Sequence, residues 1–125
     1  MTSRALIVST FECGLQPLSA ASLASSLVDH GIDVSVWDAD VFPGSPPDDD
    51  VDLVVISTPL FEGLERGLAL ARDLKERGRR VVACGQYARL FASDFADVCD
   101  GVLMDEPETT AEGLAQPGVW FCPKK

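Results

Sequence analysis

The chain carries nucleophilic and acidic side chains where predicted strands end. Glu12 and Cys13 follow the apolar run at residues 4–9, and Glu106 follows the last apolar run. A cysteine thiolate is a nucleophile, and two carboxylates can share acid–base work. Two plainer interpretations remain open. A buried cysteine commonly packs as a small apolar residue, and carboxylates at loop starts commonly accept hydrogen bonds from backbone N–H groups.

The elements that must position these residues follow from the alternation of apolar runs with amphipathic stretches. Such alternation is typical of βα units that build a parallel sheet covered on both faces. The carboxyl ends of parallel strands meet at one edge of the sheet, where ligands of such folds bind. Strands are predicted at residues 5–9, 33–38, 53–57, 80–84 and 101–104. We therefore expect an α/β fold of the flavodoxin-like (Rossmannoid) kind, a three-layer sandwich whose five-stranded parallel sheet has the order 2-1-3-4-5.

Helices are predicted between these strands. Residues 17–29 and 61–77 have apolar side chains at helical spacing, and Gly31 and Gly78 stand where a helix C-terminus is expected. A shorter helix is predicted at residues 91–99, and another begins near Pro107. The apolar faces predicted for the first two helices consist of Ala20, Leu23, Ala24, Leu27 and Val28, and of Leu64, Leu68, Ala71 and Leu74.

Residues 42–50 occupy the place where a second crossover helix would normally lie. Three prolines and three aspartates in these nine residues oppose helix formation. This crossover is therefore predicted to be an extended loop, which leaves one flank of the sheet thinly covered beside the second strand. The acidic loop is either an ordinary surface loop or part of a docking face.

Composition narrows the partners and the compartment. The 125-residue chain is predicted to form one domain at residues 1–114, followed by an aromatic and proline-containing tail at residues 115–125. A net charge of −10 disfavours nucleic acid and anionic membranes and suits a basic protein partner. The four cysteines have no CxxC spacing, and no apolar run approaches the roughly 20 residues of a membrane span. We expect a cytoplasmic protein with neither disulfides nor a metal site.

Familiar ligand motifs of this fold class are missing from the strand ends. The first loop has neither the G-x-G-x-x-G of dinucleotide sites nor the P-loop pattern. The third strand ends in Ser57 and Thr58, without the aspartate of a receiver domain. Glu12, Leu15 and Pro17 stand where a flavodoxin's phosphate loop would be rich in serine and threonine. We therefore expect a flatter, more neutral ligand or a protein surface at this edge.

The strand-end loops resemble those of the cobalamin-binding-like N-terminal domain of radical SAM proteins. The first loop reads Ser-Thr-aromatic-Glu-x-Gly-x-Gln-Pro-Leu from Ser9 to Leu18, and the fourth-strand loop reads Gly-x-Tyr-Ala-x-Leu from Gly85 to Leu90. The resemblance extends over residues 4–114. It implies a stand-alone accessory subunit that works with a separately encoded radical SAM enzyme. The chain has no CxxxCxxC cluster motif and is expected to be non-catalytic.

The resemblance also implies roles for residues at the carboxyl edge, across which a cobalamin would lie. Gly85 would let the nucleotide tail of the cofactor approach the backbone, and Ser57 or Thr58 would hydrogen-bond the base or ribose. The apolar and aromatic members of the set would contact the corrin ring. The implied cofactor contacts are Thr10, Phe11, Leu15, Gln16, Pro17, Ser57, Thr58, Leu60, Gly85, Gln86, Tyr87 and Glu106.

Departures from the family pattern affect the cofactor. Families that replace the benzimidazole by a protein imidazole carry Asp-x-His-x-x-Gly in the first loop, where this chain has Thr-Phe-Glu-Cys-Gly at residues 10–14. His30 ends the first predicted helix, a position that suits the helix dipole. Cobalamin would therefore be bound base-off without a histidine ligand, and a docking module without cofactor is the alternative. The loop at Glu106 is also shorter than in the family.

Other classes of function remain open. Cys13 or Cys84 could act as a thiolate near cobalt, and Cys13 could act as a phosphate-carrying thiol. Glu12 would raise the pKa of the Cys13 thiol, which such a carrier needs lowered. A small hydrolase or transferase using Glu12 and Glu106 is a further enzymatic alternative. A cofactor-free interaction module would use the acidic loop and the tail, whose Trp120 and Phe121 either clasp the domain or anchor a partner.

Overall fold

A computed structural model describes residues 4–10, 24–25, 27–29, 31–39, 44, 51–58 and 61–102 of the chain. Predictions that fall elsewhere lie outside these residues. They include the helix near Pro107, the tail, and nearly all of the acidic loop. None of the described helices is long and apolar enough to span a bilayer.

The sheet has the predicted order and direction. All of its strands are parallel, in the order β2-β1-β3-β4-β5. The central strand β3 is buried along its whole length, as its unbroken run of apolar residues predicts for a strand covered on both faces. The strands are β1 (Arg4–Ser9), β2 (Asp33–Asp38), β3 (Leu53–Ser57), β4 (Val81–Cys84) and β5 (Gly101–Val102).

The helices agree with the predictions less closely. A 3-10 turn (Phe61–Gly63) leads into α1 (Leu64–Glu76), and a short helix α3 (Ala92–Val98) precedes β5. Between β4 and α3 lies α2 (Gln86–Leu90), where a loop was expected. A single helical turn has too few residues to show apolar periodicity, so the sequence pattern could not reveal it. Residues 24–25 and 27–29 are helical, within the first predicted helix.

Two helices end at the glycines that were predicted to end them. The N–H of Gly31 donates to the Val28 carbonyl at 3.0 Å, and the N–H of Ile32 donates to the Leu27 carbonyl at 3.1 Å. The same pair of bonds closes α1 around Gly78. Both glycines have positive φ angles, 80° and 83°, which glycine adopts without steric cost.

The predicted apolar faces need two corrections. In the first helix Leu27 is buried but Val28 is 58% exposed, because successive helical residues lie 100° apart and only one of them can face the sheet. In α1 Leu70 is buried although it was not assigned to the core, whereas Leu64 and Leu68 are half-buried. The buried face of α1 is Gly67, Leu70, Ala71 and Leu74.

Two aspartates extend the strand pairing at the amino edge of the sheet. The Asp100 N–H donates to the Val81 carbonyl at 2.7 Å, and the Asp100 carboxylate accepts the Val81 N–H at 2.8 Å. Asp52 makes the same two bonds with Arg4, each 2.8 Å long. The Asp100 carboxylate also accepts a hydrogen bond from Lys75 at 2.7 Å, which ties the end of α1 to this edge.

We expect Asp100→Ala to lower the free energy of unfolding by about 1 kcal/mol, because the Val81 N–H then loses a charge-assisted partner. Urea unfolding followed by circular dichroism measures this change. Asp97→Ala, at an exposed position of α3, is the matched control and should change stability by less than about 0.5 kcal/mol. Equal effects of the two substitutions would contradict the role assigned to Asp100.

Candidate functional site: the carboxyl edge of the sheet

The last residues of four neighbouring strands stand in register at the carboxyl edge. Ser9 pairs with Asp38 on one side and with Ser57 on the other, and Ser57 pairs with Cys84. Paired residues of parallel strands project to the same face of the sheet, so these side chains form one polar row. Cys84 packs with Leu27, which places the row on the side of the sheet where the helical residues 24–29 lie.

The Cys84 thiol in this row is a neutral group. Burial raises the pKa of Cys84 from 9.0 to about 12, although the Ser57 hydroxyl and the Arg89 guanidinium act in the opposite direction. The thiol therefore stays protonated at neutral pH and is not a nucleophile. Cys99 is also a buried free cysteine. Both cysteines in the described residues are buried, so neither offers the accessible thiol that covalent chemistry needs.

We expect Cys84 to resist alkylation in the folded protein. Iodoacetamide at pH 8 should leave the peptide containing Cys84 unmodified, whereas the same treatment in urea should modify it, because only the unfolded thiol is accessible and ionises near 9. Peptide mass spectrometry measures the modification in both samples. Rapid alkylation of the folded protein would contradict the burial of Cys84.

The raised pKa of Cys84 also makes the stability of the fold depend on pH. Between pH 9 and about 12 the unfolded chain loses this proton before the folded chain does, so the free energy of unfolding falls as pH rises.

Thr10 and Thr58 direct their methyl groups to the opposite side of the sheet, towards α1. Both side chains are buried, and both hydroxyls donate to backbone carbonyls. The Thr10 hydroxyl donates to the Ser57 carbonyl at 2.8 Å, and the Thr58 hydroxyl donates to the Cys84 carbonyl at 3.1 Å. The resemblance implied that Thr58 would hydrogen-bond a ligand. In this structure its hydroxyl joins β3 to β4, and the ligand contact of Ser57 or Thr58 stays a prediction.

Gly85 has a structural role that differs from the one expected. Its φ of 102° lies in the region that glycine favours, and a Cβ there would come within 2.7 Å of the carbonyl carbon and oxygen of Thr58. The Tyr87 N–H donates to the same Thr58 carbonyl at 3.1 Å. The Cβ direction of Gly85 is therefore filled by the Thr58 backbone, and the contact of Gly85 with a nucleotide tail stays a prediction. A glycine is required here because the chain passes close to its own backbone at Thr58.

The turn of α2 presents the remaining described candidates. Gln86 is exposed and Tyr87 is half-buried, while Leu90 at the end of the turn is 64% exposed. Arg89 lies close enough to influence the pKa of Cys84. Neither Arg89 nor the polar row was predicted from the sequence. The row has a signal in the sequence, since Ser9, Ser57 and Cys84 are each the last residue of a predicted strand.

The remaining predicted site residues lie outside the described residues, so their roles stay predictions. They are Phe11, Glu12, Cys13, Leu15, Gln16, Pro17, Leu60 and Glu106. Residues that the structure does describe and brings together at the carboxyl edge are Thr10, Ser57, Thr58, Gly85, Gln86 and Tyr87. Within the described part of the chain, no group of three or more histidine, cysteine, aspartate or glutamate side chains could hold a metal ion.

Comparison with known proteins supports the fold alone. No family model matches the chain. No curated protein sequence matches it either. A short-chain flavodoxin associated with a non-canonical PDU bacterial microcompartment superposes with a TM-score of 0.64 at 19% identity, covering 92% of this chain and 98% of the flavodoxin.

Two further structures are similar over most of the chain. A flavodoxin from Streptococcus pneumoniae TIGR4 has a TM-score of 0.58 at 21% identity, covering 90% of this chain and 98% of its own. The sugar isomerase domain of an RpiR transcription factor from Sphaerobacter thermophilus has a TM-score of 0.60 at 16% identity. The match covers 91% of this chain and 68% of that chain. At these identities the likeness concerns architecture. The chain has a flavodoxin-like α/β fold.

Proposed function

We propose that this chain is a non-catalytic, cobalamin-binding-like accessory subunit of a separately encoded radical SAM enzyme, and that it acts chiefly by docking. The loop patterns at Ser9 to Leu18 and Gly85 to Leu90 motivate the family. The observation that favours docking over chemistry is the internal use of the polar groups at the rim. The hydroxyls of Thr10 and Thr58 donate to neighbouring backbone carbonyls, and burial keeps the Cys84 thiol protonated.

Within the described residues, groups that the resemblance assigns to a cobalamin tail already have contacts within the chain. The Cβ direction of Gly85 faces the Thr58 backbone. A tail also needs free donors, but the Thr58 hydroxyl donates internally, and Ser57 is buried beside Cys84 with a hydrogen bond between their side chains. We therefore assign no role to a bound cofactor and propose docking to a protein partner.

The flavodoxin-like fold does not by itself favour flavin binding. The similar flavodoxins are at most 21% identical to this chain. In the sequence, Glu12, Leu15 and Pro17 stand in the loop where a flavin phosphate would need small hydroxyl-bearing residues. The exposed Gln86 and Leu90 on α2 instead offer a polar and an apolar contact to a protein surface at the same edge.

Two measurements test the proposal. The purified chain is mixed with hydroxocobalamin and passed through gel filtration, and it is separately mixed with a radical SAM protein encoded beside it. Docking predicts a complex in the second experiment and no corrin absorbance in the protein peak of the first. Corrin absorbance that coelutes with the chain would favour cobalamin binding. The absence of a complex with the radical SAM protein would refute docking.

Substitutions at the rim sharpen the second measurement. We expect Gln86→Ala combined with Leu90→Ser to weaken the complex by about tenfold or more, because truncating central contact residues removes roughly 1–2 kcal/mol or more from an interface. Arg72→Ala, at an exposed position of α1, is the control and should leave the affinity unchanged. Isothermal titration calorimetry measures both. Equal affinities of the two variants would exclude the α2 surface.

A further inference from the structure

The strand β2 forms the edge of the described sheet, and its backbone polarity can be deduced from one hydrogen bond. The Ala39 N–H donates to the Ser9 carbonyl of β1 at 2.8 Å. Alternate residues of a strand direct their N–H and C=O groups to the same neighbour. Ser35 and Trp37 therefore face β1 with their backbone groups, whereas Val34 and Val36 direct theirs away from the sheet. Among the described residues, none bonds to those outward groups of Val34 and Val36.

Within its described residues, β2 lacks three of the devices that usually protect an exposed strand. All six residues of β2 pair with β1 in unbroken register, so there is no bulge, and the strand contains neither proline nor lysine. Its centre reads Val-Ser-Val-Trp, and Val36 is 44% exposed. Natural proteins commonly use bulges, prolines or lysines to prevent pairing at such edges. An unprotected edge is a template for another strand.

Charge favours a basic partner strand at β2 over a second copy of this chain. Asp33 and Asp38 stand at the two ends of β2, and Arg4, on the neighbouring strand, lies 3.5 Å from the Asp33 carboxylate. The net charge of −10 on each chain opposes pairing with a second copy. A strand with positive residues at its ends would instead be attracted by the acidic chain, and such complementarity speeds association more than it adds affinity.

We propose that β2 is a strand-addition site that accepts an extended, basic-flanked segment of a partner protein as a sixth strand of the sheet. The outward N–H and C=O groups of Val34 and Val36 hydrogen-bond the incoming strand. The exposed face of Val36 contacts an apolar side chain of that strand, and the net charge of −10 attracts lysine or arginine residues at its ends. This surface is separate from α2, because β1 and β3 lie between β2 and β4.

The test is a titration of the 125-residue chain, labelled with 15N, with a defined peptide, Lys-Thr-Val-Thr-Val-Thr-Val-Thr-Lys. We expect the amide signals of Val34 and Val36 to shift in a saturable way, and higher salt to weaken the binding. Val36→Pro removes one outward N–H while leaving the bonds to β1 intact, and should raise the Kd by about tenfold or more. Val36→Thr keeps the N–H and should change the Kd by less than about threefold.

A second set of probes keeps the protein unchanged in case Val36→Pro does not fold. Methylating alternate backbone nitrogens of the peptide on its pairing side should abolish the shifts, and a peptide with glutamate in place of both lysines should bind at least about tenfold more weakly. Leu90→Ser should leave the titration unaffected.

The site is overturned if the lysine peptide causes no shifts at millimolar concentration, or if the glutamate peptide binds equally well. Sedimentation showing a dimer that Val36→Pro dissociates would also overturn it, in favour of a second copy. The titration requires neither cobalamin nor a radical SAM protein, so its failure is separate from a failure of the docking proposal.

Discussion

Gly85→Ala is expected to lower the free energy of unfolding by at least about 3 kcal/mol. Two costs add together. An alanine at a φ of 102° is strained, and its Cβ would lie 2.7 Å from two backbone atoms of Thr58, which cannot rotate away as the end of a side chain could. Urea unfolding monitored by circular dichroism measures the change.

The matched control for this substitution is Gly78→Ala. Gly78 has a similar positive φ of 83°, but a Cβ there meets nothing within 4 Å. Its substitution should therefore cost only the conformational part, about 1–2 kcal/mol. The difference between the two variants measures the contact between Gly85 and Thr58 together with the additional backbone strain at Gly85, whose ψ is 165°. If both cost the same, the close approach of these backbones is wrong.

Gly85→Ala should also disturb the rim. The Thr58 carbonyl that it would strike accepts the N–H of Tyr87, which holds the first turn of α2 in place. Displacement of α2 would move Gln86 and Leu90 together. A variant that remains folded should for this reason lose affinity for a partner docked on α2 while it keeps its binding at β2.

Gly67→Ala is expected to lower the free energy of unfolding by about 2 kcal/mol, although alanine is a better helix former than glycine by about 1 kcal/mol. A Cβ at Gly67 would lie 2.6 Å from the Cγ2 methyl of Thr58. Thr58 is fully buried and its hydroxyl is held by the Cys84 carbonyl, so the methyl cannot move away cheaply. Thermal and urea unfolding of the variant measure the loss.

A double-mutant cycle identifies the cause. Thr58→Ser removes the Cγ2 methyl but keeps the hydroxyl, and the next atoms that a Cβ at Gly67 would meet, on Ile56 and Thr10, lie at 3.4 and 3.5 Å. In the Thr58→Ser background, Gly67→Ala should therefore cost less than about 0.5 kcal/mol or be stabilising. Ser57→Ala, whose side chain lies on the other face of the sheet, should give no such rescue. A cost that persists in the serine background would contradict this contact.

These two glycines allow close packing in the described part of the carboxyl edge. Gly67 lets α1 approach the ends of β1 and β3, and Gly85 lets the chain leave β4 across Thr58. The polar residues between them are therefore drawn into internal bonds.

The sequence by itself determined the elements and their order. The apolar runs at β1, β3 and β4, the helical spacing in α1, and the closing glycines Gly31 and Gly78 are local signals, because a strand repeats every second residue and a helix every third or fourth. Alternation of these elements was sufficient for a parallel flavodoxin-like sheet. These expectations were confirmed.

Only the tertiary structure decided what the rim residues do. Which face of α1 is buried depends on Gly67 fitting over Thr58, and the partners of the Thr58 hydroxyl, of Gly85 and of the polar row depend on the register between strands far apart in the chain. The outward direction of the Val36 backbone likewise follows from a bond between Ala39 and Ser9. Local periodicity carries no information about such register, because it arises from the packing of distant segments against one another.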